Sequence, residues 1–236
     1  MTRKYMTTFL QGNPTVNAIV ASIVLVALLF VSYTVFEPMV AYGVGDTFTV
    51  RQQVTSEIAF QTPPTDVVMT PVLQGLTGGN SFGTSTVSIN TNNPTGYNMT
   101  IAFADVIAMK GENISSDIDN YTPAVGGTPD YNFSVAANDA EFAFTVNGVT
   151  TPADIDARFK DTGAACNSGT GTAVGHCWYN TADATSPVTI INRTTATPGT
   201  GATSTIVFQV GITANPSPAI ETGFYNATAT LTAIVN

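Results

Sequence analysis

The sequence predicts an all-β protein, a single antiparallel β-sandwich preceded by one N-terminal hydrophobic helix. Three observations carry that expectation. An uncharged apolar run occupies residues 18–36, close to the ~20 residues a helix needs to cross a bilayer. After it, apolar and polar residues alternate with the two-residue period of half-buried strands. Clusters of Gly, Pro and Asn punctuate those stretches, and no long helical period runs through them.

The helix comes first. Only Ser22, Ser32, Tyr33 and Thr34 interrupt the run, and Ser and Thr hydroxyls can bond the helix's own carbonyls. Arg3 and Lys4 precede it while Glu37 and Asp46 follow, so the positive-inside rule turns the C-terminal bulk outward. The chain therefore divides into a leader, residues 1–43, and an extracellular body, residues 44–236. Three fates are open to the leader. Ala41-Tyr42-Gly43 offers small residues where a signal peptidase reads, favouring a cut near Val44. The apolar run exceeds the ~7–15 residues of a signal core, which favours a retained anchor. A prepilin-type cut after Gly12 would resemble the type IV pilin arrangement, although Gln11 replaces the usual basic residue and Asn17 the usual Glu.

The strands follow in order. Across residues 46–61, Phe48, Val50, Val54, Ile58 and Phe60 share one face; Thr47, Thr49, Arg51, Gln53, Thr55 and Glu57 share the other. Gln52 and Ser56 break the apolar face, placing a bend or bulge there. Alternation returns at Tyr97, Met99, Ile101 and Phe103, at Tyr131, Phe133 and Val135, and at Phe142, Phe144 and Val146. It returns again at Ile206, Phe208, Val210 and Ile212. The last stretch is the cleanest, with Tyr225, Ala227, Ala229, Leu231, Ala233 and Val235 on one side. Residues 152–159 alone look helical, for a turn or two, with Ile155 and Phe159 four apart. No fixed-period repeat marks a solenoid or propeller. Strands at chain ends expose edges that can template pairing with another molecule. Residues 46–61 and 223–236 are the candidates for such exchange, against the alternative that both pair within their own sheet.

Composition narrows the function. Lys and Arg number 7 against 16 Asp and Glu, for a formal charge of -9. So few cations cannot neutralise a phosphate backbone, which excludes nucleic acid as a partner. Two Cys and one His are too few for a zinc finger. A hydrophobic share of 44% with only 10% charged residues separates the chain from disordered proteins.

Cys166 and Cys177 bracket a Gly/Thr-rich loop and read as a disulfide formed after export. Closing so short a loop contributes about 3 kcal/mol in the chain-entropy picture. The alternative is a metal site built from Cys166, His176 and Cys177, which lacks a fourth ligand nearby. Sequons beginning at Asn98, Asn113, Asn120, Asn132, Asn192 and Asn226 are glycosylation candidates in a host that glycosylates exported proteins.

A catalytic site needs a nucleophile or a tuned acid–base pair, and every Ser-His or Cys-His scheme would have to use His176, beside Cys177. No Gly-x-Ser-x-Gly elbow is present, and the Gly169 and Gly199 repeats lack a phosphate loop's strand-then-helix setting. Asp117 with Asp119, and Asp154, Asp156 and Asp161, could offer oxygens to calcium, but they read better as solvated loop charge. The expectation is no enzyme, no cofactor and no resident metal. Trp178 and Tyr179, directly after the disulfide, are the best candidates for a glycan-contacting loop, although Trp and Tyr more often anchor a core.

Several segments resemble one group of proteins. Thr91-Asn92-Asn93-Pro94-Thr95-Gly96-Tyr97-Asn98-Met99-Thr100-Ile101 is similar to a segment of exported β-sandwich surface proteins from candidate-phyla bacteria. Asn120-Tyr121-Thr122-Pro123-Ala124, Gly127-Thr128-Pro129-Asp130 and Glu141-Phe142-Ala143-Phe144 resemble that group's middle. The ending Gly223-Phe224-Tyr225-Asn226-Ala227-Thr228-Ala229-Thr230-Leu231-Thr232-Ala233 is similar to a final strand shared with spore-coat-U-like and TasA-like fibre domains, with Phe224 where a smaller residue is common. The resemblance covers scattered pieces from about Val54 onward. It implies a structural cell-surface role and carries over no catalytic residues. The expected function is thus a subunit of a surface fibre, pilus-like appendage or coat. Such a subunit contacts the membrane through its N-terminal helix and self-associates, by strand exchange or through that helix. The alternative is a monomeric adhesin that binds glycans.

Overall fold

The computed structural model describes residues 13–35, 45–147, 152–180 and 182–236. It divides between Gln53 and Val54 into an N-terminal unit and a β-rich body. Gly12, residues 41–44 and the charges at Arg3, Lys4 and Glu37 lie outside the described residues, so the cleavage expectations that rest on them do too.

In the N-terminal unit, α1 spans Pro14–Val35. It starts four residues before the apolar run because Asn13 caps it: the Asn13 carbonyl accepts from Val16 and Asn17 N–H at 2.9 and 3.2 Å, and Oδ1 accepts from Thr15 N–H at 3.3 Å. Pro14 suits the first helical position, where no N–H is needed. Ser22, Ser32 and Thr34 donate to Ala18, Leu29 and Val31 carbonyls, so the Ser and Thr hydroxyls that interrupt the run are satisfied by the helix itself. No α1 residue is buried. Its 22 residues rise ~33 Å, enough for a ~30 Å hydrocarbon layer.

The body holds β1 (Ile58–Thr62), β2 (Gly79–Thr91), β3 (Tyr97–Phe103), β4 (Lys110–Gly111), β5 (Asp119–Asn120) and β6 (Ala140–Asn147). Short 3-10 turns at Pro152–Asp154 and Ala157–Phe159 precede β7 (Val188–Arg193), β8 (Ala202–Ile212), β9 (Tyr225–Asn226) and β10 (Ala229–Val235). Among the described residues three sheets result, ordered β1-β2-β8-β6-β5, β10-β3-β7 and β4-β9. All pairings are antiparallel except β5 with β6. One hydrophobic core takes residues from both larger sheets, among them Ile89, Phe144 and Ile206 from the first and Met99, Ile101 and Ile191 from the second.

Where alternation is clean most strands appear as expected, although the last stretch divides into β9, paired with β4, and β10, paired with β3, with Ala227 and Thr228 in neither. β3 buries Tyr97, Met99, Ile101 and Phe103 in strict alternation. The 152–159 segment forms its two short turns, with Ile155 and Phe159 buried.

Two expected strands fail. Of residues 46–61 only the end is strand. Residues 45–57 form neither helix nor ladder, and Phe48, Val50 and Val54 stand 88%, 84% and 80% exposed. Periodicity supplies an amphipathic face but no partner, and in this chain β1 is the outermost strand of its sheet. Tyr131, Phe133 and Val135 are likewise not in a strand. Phe133 instead joins Tyr121, Ala143 and Trp178 in a second cluster. A methyl group at Gly211 of β8 would meet Phe133 and Val135 at 2.7 Å each. Those residues cover the outer face of the five-stranded sheet, so β6 and β8 are buried on both sides.

Two strands carry no clear sequence signal. β2 turns Ser81 and Ser85 inward beside Val87 and Ile89, so its buried face is half hydroxyl. β7 shifts register against β3 between Met99 and Thr100, leaving Ile190 and Ile191 both fully buried. A bulge of that kind erases the two-residue period.

Candidate functional site

The feature that stands out is an open seam in the core. β10 pairs with β3 from Ala229 opposite Phe103 to Val235 opposite Tyr97, with no shift of register, and among the described residues it has no ladder on its other edge. β1, at the end of the five-stranded sheet, lies beside β10. Ile58 and Phe60 of β1 and Leu231 and Ala233 of β10 pack on the core yet stay only partly buried. Ile234 and Val235 are 58% and 40% exposed. Soluble proteins guard such edges with Lys, Pro, bulges or a covering loop. β10, reading ATLTAIV, contains neither charge nor Pro.

The end of β10 is anchored. Asn236 Nδ2 donates to the carbonyls of Thr95 and Arg193, both at 2.8 Å, and its own carbonyl accepts from Asn93 Nδ2 and Thr95 Oγ1 at 3.0 and 2.9 Å. The Asn93-Pro94-Thr95-Gly96 turn thus grips the last strand. Gly96 has φ +79°, and a Cβ there would stand 2.1 Å from the Arg193 carbonyl oxygen. This lock gives Asn93, Thr95 and Gly96 of the Asn-Asn-Pro-Thr-Gly-Tyr pattern their roles, while Asn92 bonds Thr55 and Glu57 instead. Arg193 itself pairs with Asp154, both nearly buried, and donates further to Thr195 and Ala196 carbonyls. Burial beside this pair pushes the Tyr97 phenol up to about 12, against the lowering pull of Arg193.

The remaining candidate residues mostly hold structure. Cys166 and Cys177 form a disulfide, which takes both thiols away from any metal site with His176. The His176 ring stacks on Tyr131 at 4.0 Å, with Nδ1 2.9 Å from the Tyr131 carbonyl oxygen. Trp178 and Tyr179 are 2% and 5% exposed. Trp178 packs on Phe133 and donates Nε1–H to Gly175, while Tyr179 lies edge-on to Phe144 and Phe159. Neither ring offers a face to a sugar, because the loop after the disulfide folds back as core.

Asp161 staples the disulfide loop, accepting from Gly163 and Ala173 N–H at 2.8 Å each. Asp156 accepts from Arg158 N–H at 3.0 Å. Asp117 bonds Lys110 and Gly111 N–H, which hold its carboxyl below the ordinary range. Glu141 moves the other way: burial, then Asp139, Asp119 and Asp130, push it up to about 7 against the hydrogen bond from Thr122.

The sequons differ in availability. The Asn120 amide is committed at both ends, accepting from Ala108 and Asn180 and donating to Val106. Asn98 donates to Asn236 and Asn226 to Glu112. Asn113, Asn132 and Asn192 are exposed. No protein-family profile matches the chain, and no curated protein is similar to it.

Proposed function

We propose that the chain is a structural cell-surface protein, exported across the cytoplasmic membrane, whose β body is a subunit of a fibre, pilus-like appendage or coat. In this reading α1 engages the membrane, the two larger sheets are the layers of an antiparallel sandwich, and copies join by strand addition. The observation that carries it is the unguarded β10 edge over an incompletely covered core. Asn236 and the Asn93–Gly96 turn hold β10 in place, so β10 is the acceptor. The donor is then the exposed stretch just before β1, with Phe48, Val50 and Val54 on one face. Backbone pairing supplies affinity and the alternate side chains supply register. The resemblance to exported surface proteins of candidate-phyla bacteria supports the same role.

The test mixes two full-length variants, Val50→Cys and Ala233→Cys, under mild oxidation. Crosslinks between copies, with linear polymers by electron microscopy, are the expected result. Monomer alone at all concentrations would remove the reading.

A further inference from the structure

We infer that the segment joining the two units is a processing site for an arginine-directed, trypsin-like protease, which hydrolyses the Arg51–Gln52 bond and frees the folded body. A protease cleft needs several residues of unstructured, accessible chain around a recognised side chain, and exposed segments with few bonds provide it. Residues 45–54 meet that need: all are exposed, none is in a helix or ladder, and the hydrogen bonds within the stretch are local. The body's own anchorage begins just beyond, where Asn92 bonds the Thr55 carbonyl and the Glu57 N–H.

The recognised side chain is singled out by its surroundings. Among the described residues, Arg193 is buried against Asp154, Lys110 pairs with Asp117, and Lys160 donates to Ala153. Arg158 pairs with Asp156 and lies over the Tyr179 ring. Arg51 alone is exposed with no such partner, and it stands two residues from the boundary between the units. Hydrolysis adds one water across the amide, leaving a carboxylate on Arg51 and an amine on Gln52. No core residue is lost, since the core begins at Ile58. The cut separates the body from the apolar helix and takes Phe48 and Val50 with the helix.

The full chain in detergent micelles is treated with dilute trypsin and followed by mass spectrometry. Within residues 45–236 the first scission is expected after Arg51, leaving a persistent product that starts at Gln52 and keeps its β circular dichroism. Arg51→Gln should slow that step at least tenfold. A first cut at Lys110, Arg158 or Lys160, or an unchanged rate in R51Q, overturns the inference. So does body shed by native cells that lacks a Gln52 start. Because the cut removes Phe48 and Val50, a processed body could no longer donate that stretch, so on the strand-addition reading processing would also release subunits. A polymer that loses Arg51 to trypsin without dissociating would refute strand donation and leave the processing site intact.

Discussion

Replacing Phe48 and Val50 together by Lys should abolish polymer without destabilising the body. Both side chains are over 80% exposed in the single chain, so unfolding midpoints should stay within the ~0.5 kcal/mol typical of surface changes. In a donated strand the same side chains would be buried. Full burial of each is worth about 1.5–3 kcal/mol, so losing two removes about 3–6 kcal/mol. The unpaired ammonium groups at the seam add to that. At 1.4 kcal/mol per tenfold, the association constant should fall by at least about a hundredfold. Sedimentation velocity across a concentration series reads this directly, with thermal unfolding by circular dichroism as the control. Polymer of normal length at normal concentration, from a variant of unchanged stability, would refute the donor assignment.

Three further outcomes follow from the body. Glu141 is raised in the folded state, so the chain gains stability below the unfolded carboxyl range and loses it as pH rises through about 7. Glu141→Gln should therefore match the parent near pH 4 and exceed it near pH 8, by about 1 kcal/mol after discounting for partial solvent access; a pH-independent difference in denaturant unfolding would contradict this. Arg193→Met strands Asp154 in a nearly dry site and should cost about 3–5 kcal/mol, with Asp154→Asn in the same chain restoring part of it; an additive double mutant would argue against the pair. Gly96→Ala puts a methyl against the Arg193 carbonyl at a positive φ and should cost at least about 1 kcal/mol, read as a lowered Tm; an unchanged Tm would show that the turn relaxes freely.

Strand after strand was legible where its inner face is apolar throughout. β3, with Tyr97, Met99, Ile101 and Phe103, is the clearest case, because one face meets the core and the other does not. β2 was illegible because Ser81 and Ser85 face inward, and hydropathy cannot report a buried hydroxyl. β7 was illegible because a bulge puts Ile190 and Ile191 both inside. The Trp178-Tyr179 pair left two readings open. Sequence cannot say whether a ring near a disulfide points at solvent or folds under its own loop, since that depends on Phe133 and Gly175, more than 40 residues away in one case and three in the other. The candidate seam was half visible. The edge-forming stretches were evident, but not that one would pair along its whole length and the other be left largely without a ladder.

What the sequence determined alone are the local and compositional matters. The apolar helix follows from a run of uncharged residues, because a helix meets its backbone hydrogen bonds within itself. The β class follows from two-residue alternation, whereas the close spacing of Cys166 and Cys177 suggested a disulfide over a metal site and the folded chain showed the bond. Tertiary structure decided everything that needs a partner distant in sequence. It left residues 45–57 without a ladder, gave β10 a single ladder partner among the described residues and fastened Asn236 into the Asn93–Gly96 turn. A strand's side-chain pattern is written in its own residues, whereas its hydrogen bonds are completed by another strand, and only the folded chain shows which edges remain open.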